Sequence, residues 1–405
     1  MMACSSAETE PVKKKRKTGR DDSDIFDEFH SKFLTENPSF VDAVNKFKQE
    51  ITALGAYEIG SCNAADPDNG YCFTKADCTL KPTQRTFAFG NLFIEAFKML
   101  KNFITKKEIP TDSQTKMTLE LLVKFLLNEG NYVEYEIQEG LSRTKECDDE
   151  TELTVLLAFH LFSQLSTSPY FTIDNRKANQ IKVCPCGKRH GQIVYGDTSI
   201  GNLNVWHGYL DLIMEGADVI IDTIDGEQET YKDVESAVEV KQRHFEMNDN
   251  SAGSSLVQVA AKTIVYSFYY KQVHPDHSNT LIPCIGVSHL GLIFYFYDSV
   301  NDVLLGSTHF PLAASSPFQL SFTAVIGVWL ILNHKHLCNG LSLIDLKEVP
   351  KARFTDVAKS KIDIYKRELK RGQVGTSLKR FNVLSLDPLT FVNSKFFLSP
   401  ELEDL

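Results

Sequence analysis

A chain of 405 residues, 42% hydrophobic and 24% charged, is long enough for one large or two ordinary domains and has the balance of a soluble globular protein. Its apolar runs, around 153–162 and 324–332, fall short of the roughly 18–20 residues that a membrane span requires, so no membrane partner is expected. A net charge of −10 excludes a uniformly basic nucleic-acid binder but leaves room for a local basic track, since residues 351–380 hold ten Lys or Arg against three Asp or Glu.

Residues 1–22 are small, polar and charged, the composition of a disordered tail. Within them Pro11-Val12-Lys13-Lys14-Lys15-Arg16-Lys17 reads as a nuclear localisation signal, so a nuclear import receptor is an expected partner and the nucleus the expected location. No apolar leader run precedes the nine cysteines, which fits a reducing compartment.

Residues 23–145 read as a helical N-terminal region. Ser39 is a candidate N-cap, and Phe40, Val44, Phe47, Ile51 and Leu54 recur on one helical face up to Gly55. Phe87–Ile104 and Met117–Leu127 repeat the pattern, and a Gly/Asn/Asp-rich loop from Gly60 to Asp77 separates the first two helices. Residues 131–137 suggest a strand. Asp149 to Gln164 reads as a strongly apolar helix with Asp149 and Glu152 at capping-box spacing.

A small knuckle follows, Cys184-Pro185-Cys186-Gly187-Lys188-Arg189-His190. Its Cys184, Cys186 and His190 are candidate ligands for a structural Zn²⁺, which takes four; Cys62, Cys72 or Cys78 is available for the fourth place. The alternative is a tight turn with reduced thiols.

Most of the chemistry lies between Gly208 and Gln258. Gly208-Tyr209-Leu210-Asp211-Leu212-Ile213-Met214 and Val219-Ile220-Ile221 read as buried strands, as does Ala237-Val238-Glu239-Val240-Lys241; a helix then opens near Ser254 and carries Gln258. Period two places Glu239 and Lys241 on one side of their strand. Buried carboxylates are costly unless paired or holding a metal. An Asp on one strand and a Glu two before a Lys on the next suit a hard divalent cation such as Mg²⁺ (or Mn²⁺), with the lysine placed to orient a water or stabilise developing charge. A salt-bridge cluster across a sheet edge is the plain alternative. Further on, Leu281–Ser288, Leu292–Tyr297 and Val303–Leu305 read as strands, Ser321–Leu332 as a buried helix, and Phe354–Arg371 as one amphipathic basic helix.

The order Gly208-x-x-Asp211, Glu239-x-Lys241, Gln258 resembles the PD-(D/E)XK nuclease superfamily, in its RecB-like and lambda-exonuclease-like branch. The resemblance covers about 150–310. It implies that Asp211 and Glu239 bind Mg²⁺, that Lys241 assists the nucleophile, and that Gln258 positions the substrate or the lysine. The branch also tends to supply an upstream Glu or His, for which Glu152 and His160 are candidates and His207 a third. Where the branch often has Tyr four residues after the Gln, this chain has Lys262.

The expected fold is therefore α/β: a restriction-endonuclease-like core over 146–345, with a mixed central sheet of about five strands flanked by helices. A helical region over 23–145 precedes it, and a basic helix with a C-terminal tail, 346–405, follows. The expected function is Mg²⁺-dependent hydrolysis of phosphodiester bonds, in DNA. The alternatives are a catalytically inactive nuclease-fold module that binds nucleic acid or protein, and a zinc-stabilised nuclear interaction protein.

Overall fold

The computed structural model describes residues 22–48, 53–129, 137–141, 150–178, 183–187, 193–224, 255–288, 291–313 and 320–374. Its strands, in chain order, are β1 (Ala53–Cys62), β2 (Cys78–Ala88), β3 (Phe171–Asp174), β4 (Tyr195–Gly196), β5 (Ser199–Gly201), β6 (His207–Tyr209), β7 (Leu212–Met214), β8 (Val219–Thr223), β9 (Leu281–Val287), β10 (Gly291–Asp298), β11 (Val303–Ser307), β12 (Phe310–Pro311) and β13 (Lys370–Arg371). A ten-stranded sheet runs β2-β1-β11-β10-β9-β8-β7-β3-β4, with β12 added to β10. The β8/β9 and β3/β4 pairs are parallel and the other pairs antiparallel, so the sheet is mixed. A smaller sheet of three strands runs β13-β5-β6.

Alternation along the strands decides what each residue meets. On one face Leu212, Met214, Val219, Ile221, Ile285, Phe294 and Phe296 pack against the helices α1 (Asp22–Glu28), α2 (Pro38–Lys48), α3 (Ile94–Lys106), α4 (Ser113–Lys124), α5 (Glu150–Leu157) and, later in the chain, Phe322–Leu332. On the other face Ile213, Ile220, Ile282, Cys284, Tyr295 and Tyr297 pack against α6 (Ser255–Val273) and the segment around Phe354 and Tyr365. Both faces are buried, which is why β9 and β10 are buried along their whole length rather than alternating apolar and polar. No helix among the described residues is long and apolar enough to cross a membrane.

The α/β class and the mixed sheet flanked by helices agree with the expectation, and the sheet is larger than the five strands expected. Residues 53–62 and 78–88, expected within a helical region with a loop over 60–77 and a helix from Phe87, form a long hairpin at the edge of the main sheet. Leu54 and Phe87 accordingly sit on strands, and α2 ends at Lys48. Two register shifts in this hairpin, between Gly55 and Tyr57 and between Ile59 and Cys62, break the period-two signal. Of the strand expected over 131–137 only residue 137 is among the described residues, and it is helical, with 138–141. The single basic helix expected over 354–371 is instead Phe354–Val357, a 3-10 turn Lys359–Lys361, Ile362–Arg367 and then β13. Its breaks follow from two buried aromatic anchors: Phe354 is enclosed by Trp206, Phe268, Tyr297 and Tyr365 rings, and the Tyr365 hydroxyl donates to the Ala64 carbonyl at 2.9 Å.

Asp302 secures this segment. It lies at the β10/β11 turn with φ 53° and is buried. Its carboxylate accepts from the Tyr297 hydroxyl (2.8 Å), the Thr355 hydroxyl (2.6 Å) and the amides of Phe354 and Thr355 (3.2 Å each). Truncation leaves several donors without an acceptor, each costing about 1 kcal/mol or more. Asp302→Ala is therefore expected to lower unfolding stability by roughly 3 kcal/mol, measured by urea denaturation; a loss below about 1 kcal/mol would contradict this role.

Candidate active site

The register of β7 against β8 pairs Leu212 with Ile221. One step further sets Asp211 opposite Asp222. Ile213 and Ile220, two residues away on each strand, face α6, so period two turns both aspartates toward that helix. The register sets the two carboxyl groups side by side, and each bears on the other's ionisation. From α6 the buried Lys262 ammonium donates to Asp222 Oδ1.

Asp211 is held on its other side by the end of β3. Asp174 caps a short turn, accepting from the Arg176 amide at 2.9 Å and from Arg176 Nε at 2.8 Å. That turn delivers Lys177, whose Nζ lies 3.1 Å from Asp211 Oδ1. The Thr223 amide donates to Asp211 Oδ2 at 2.9 Å. The Arg176 guanidinium stacks over the Tyr209 ring at 3.5 Å, and this arginine is half exposed. Asp211 and Lys177 side chains retain 14% and 19% of their exposure, against 2% for Asp222, so the cluster opens to solvent on the Asp211 side.

Upstream, Gly208 has φ 148°, and a Cβ there would stand 2.8 Å from the Phe73 ring. Close approach of Phe73 thus explains the glycine that precedes Asp211 in the Gly-x-x-Asp signature.

The electrostatics are those of two acids sharing one proton. Burial, then the charge of Asp211 and its hydrogen bond, push the Asp222 carboxyl up to about 8, with Lys262 opposing. Burial acts to raise Asp211 as well, but Lys262, the hydrogen bond from Asp222, Lys177 and the Thr223 amide outweigh it and hold that carboxyl well below its ordinary value. Lys262 is raised: burial disfavours its charge, and the two aspartates overcome that. Asp211 is thus favoured to carry the negative charge and Asp222 the proton, while Lys262 keeps its positive charge.

The residues picked out from sequence divide as follows. Asp211 is at the centre. Gln258 lies on α6 one turn before Lys262 and hence on the same face. Glu239 and Lys241 lie outside the described residues, as does His190, and as do Lys13–Lys17. Glu152 and His160, the candidate upstream ligands, are not brought to the aspartate pair. Their helix packs on the opposite face: Thr154 Oγ1 is 2.9 Å from Thr223 Oγ1, and Leu153, Val155 and Leu157 join the core on that side. Glu152 is two residues from Thr154, about 200° round the helix. Among the described residues no third His, Cys, Asp or Glu joins Asp211 and Asp222 at ligand distance; His160 instead groups with Cys184 and Cys186. His207 is engaged locally, its Nδ1 2.9 Å from the Val205 carbonyl oxygen. Cys62 and Cys78 face each other across β1/β2, Cys72 lies 3.1 Å from the Thr74 hydroxyl, and none of the three joins the Cys184 group.

Sequence reasoning passed over Asp222, Lys262 in its actual role, and Lys177. Asp222 ends the run Val219-Ile220-Ile221, but Ile224, two residues on, offers no lysine to complete a motif. The available signal was chemical: an acid closing a buried strand and a lysine inside the apolar run of α6.

No family model matches the chain, and no curated protein or solved structure matches it either.

Because Asp222 is raised from an unfolded value near 4 to about 8, the folded state binds the extra proton between these limits. Its contribution to stability is complete below about pH 4 and is lost as pH rises through about 8. Asp222→Asn removes the titration. The thermal midpoint of this variant should gain on wild type progressively from about pH 4 to 8 and then level off; a difference independent of pH would contradict the shared proton.

Proposed function

We propose that this protein is a metal-dependent nuclease, hydrolysing phosphodiester bonds in DNA on a restriction-endonuclease-like core. The observation that carries the reading is the opposition of Asp211 and Asp222 across β7/β8 with Lys262 directed at the pair. Two carboxyl groups on opposed residues form a hard, all-oxygen donor set, the chemistry that Mg²⁺ or Mn²⁺ selects. A divalent cation held there supplies Lewis acidity toward a phosphoryl oxygen and a more acidic bound water.

The chain's own residues then have distinct parts. Asp211 and Asp222 would hold the cation; Asp222 would have to be deprotonated for this, so cation affinity would rise with pH. Lys262, a compact point charge on a rigid helix, is available to orient the attacking water or to stabilise charge as it grows on the phosphoryl group. Lys177 adds a second cation beside Asp211. Gln258, one turn from Lys262, positions the substrate. Asp222 and Lys262 thereby take the carboxylate and lysine roles that the resemblance gave to Glu239 and Lys241.

Retention of four ionisable groups at low exposure favours catalysis over stability, since buried ion pairs contribute little net stability against an apolar replacement. Nucleic acid as substrate is favoured by the basic segment. Its end, Lys370–Arg371, pairs with β5, and β5 pairs with β6, the strand that runs into Asp211. The exposed cations of this segment and the stacked Arg176 supply phosphate-neutralising charge near the site, so binding should weaken with added salt.

Cleavage of single- and double-stranded DNA and of RNA, with Mg²⁺ or Mn²⁺, tests the assignment. Asp211→Asn, Asp222→Asn and Lys262→Met should each lose about 100-fold or more, whereas Glu239→Gln and Lys241→Ala should stay close to wild type. Equal activity in every variant would remove the catalytic reading, and a loss confined to Glu239→Gln and Lys241→Ala would remove the assignment of Asp222 and Lys262.

A further inference from the structure

Six residues beyond Thr154 along the helix from Glu150, about 9 Å away, His160 sits in a π-helical turn, Ala158–Phe162. Such widened turns recur where a helix must present a side chain off the regular spacing. His160 is buried, and its Nε2 lies 3.3 Å from Cys184 Sγ. Cys186 Sγ converges on the same point: the ligand atoms of His160, Cys184 and Cys186 all lie within 4.8 Å of one another.

The local sequence explains the convergence. Cys184-Pro185-Cys186-Gly187 is a tight turn in which the Gly187 amide donates to the Cys184 carbonyl at 2.9 Å. Pro185 presets the first central residue, and Gly187, at φ 81°, takes the left-handed conformation that closes the turn. Both thiols are free of disulfide bonding and buried, packed with Leu156 and against Leu141 and Phe159.

We propose that His160, Cys184 and Cys186 hold a structural Zn²⁺ that clips the 183–187 turn to the helix behind the aspartate pair. Two sulfurs and one imidazole nitrogen are the donors zinc prefers, and tetrahedral coordination at the usual bond lengths puts neighbouring ligand atoms roughly 3.6–3.8 Å apart. Cys184 and His160 are already near that separation at 3.3 Å, and side-chain shifts of about 1 Å bring in Cys186. Both sulfurs lie within 4.8 Å of the same imidazole nitrogen. Binding releases the thiol protons to solvent. Water or a further side chain completes the coordination. The ion's part is positional: it fixes the helix whose Thr154 meets Thr223, the residue that follows Asp222 and whose amide holds Asp211.

This site is independent of the nuclease reading, and its test does not use activity. Full-length, tag-free protein purified without added metal should contain one zinc per chain by elemental analysis. Refilling with Co²⁺ after removal should give the intense visible bands of a tetrahedral ion and thiolate-to-cobalt charge transfer in the near ultraviolet. His160→Ala and the Cys184→Ser/Cys186→Ser double variant should lose the zinc, while Asp222→Asn should keep it. Chelation of zinc should also lower the thermal midpoint of wild type by several degrees and leave that of the double variant unmoved. Metal-free wild-type protein that shows no tetrahedral cobalt spectrum would overturn the proposal, even if the variants fail to fold. Zinc retained in the double variant would overturn it too.

Discussion

Two acids facing each other across adjacent antiparallel strands are the constraint on which this structure turns. Side chains directly opposite on one sheet face stand close enough to interact strongly, and like charges there repel. In a buried setting both cannot ionise freely, so a proton or a cation must lie between them. Here Asp222 is the acid shifted toward its protonated form, Lys262 closes the pair from the helix, and Lys177 compensates Asp211 from the end of β3. Four ionisable side chains at such low exposure are costly to bury, and the surrounding elements hold them in place.

That fold does so by burying both faces of one sheet. Parity along β8 separates the functions: Ile220 and Asp222 face α6, while Ile221 and Thr223 face the helix carrying Thr154. Each catalytic candidate is fixed by its own element: Asp211 by the β6/β7 junction, Asp222 by β8, Lys262 by α6, Lys177 by a capped turn. Rigid elements hold such groups more closely than loops do. The small β13-β5-β6 sheet adds a further tie, linking the basic segment to the strand before Asp211. On the opposite face, Cys184 meets His160 at the end of the supporting helix.

Much of this was legible in the sequence where one physical signal dominated. The apolar runs of β8, β9 and β10, the helix from Ser255 and the buried helix Phe322–Leu332 stand where their patterns put them. The β1/β2 hairpin was not legible: its bulges break the alternation, and β2 is a largely exposed strand carrying Lys81, Pro82 and Arg85, as edge strands do. Asp211 was found because a charged residue interrupts an apolar strand. Asp222 and Lys262 were missed as a pair because a motif search looks for carboxylate and lysine two residues apart, and here they are forty apart and meet only through the packing of α6 on β8. The cysteine knuckle was visible, but the histidine it meets lies twenty-four residues upstream on another element, beyond the reach of local spacing.

The central claim is that the carboxyl pair is a divalent-cation site. Crystals grown at pH 8 or above and soaked in Mn²⁺, with anomalous diffraction collected near the manganese edge, test it most directly. The account predicts an anomalous peak within about 2.3 Å of oxygens from both Asp211 and Asp222, absent from crystals of Asp222→Asn. Undisturbed lysine–aspartate contacts with no anomalous peak at either carboxylate would contradict it.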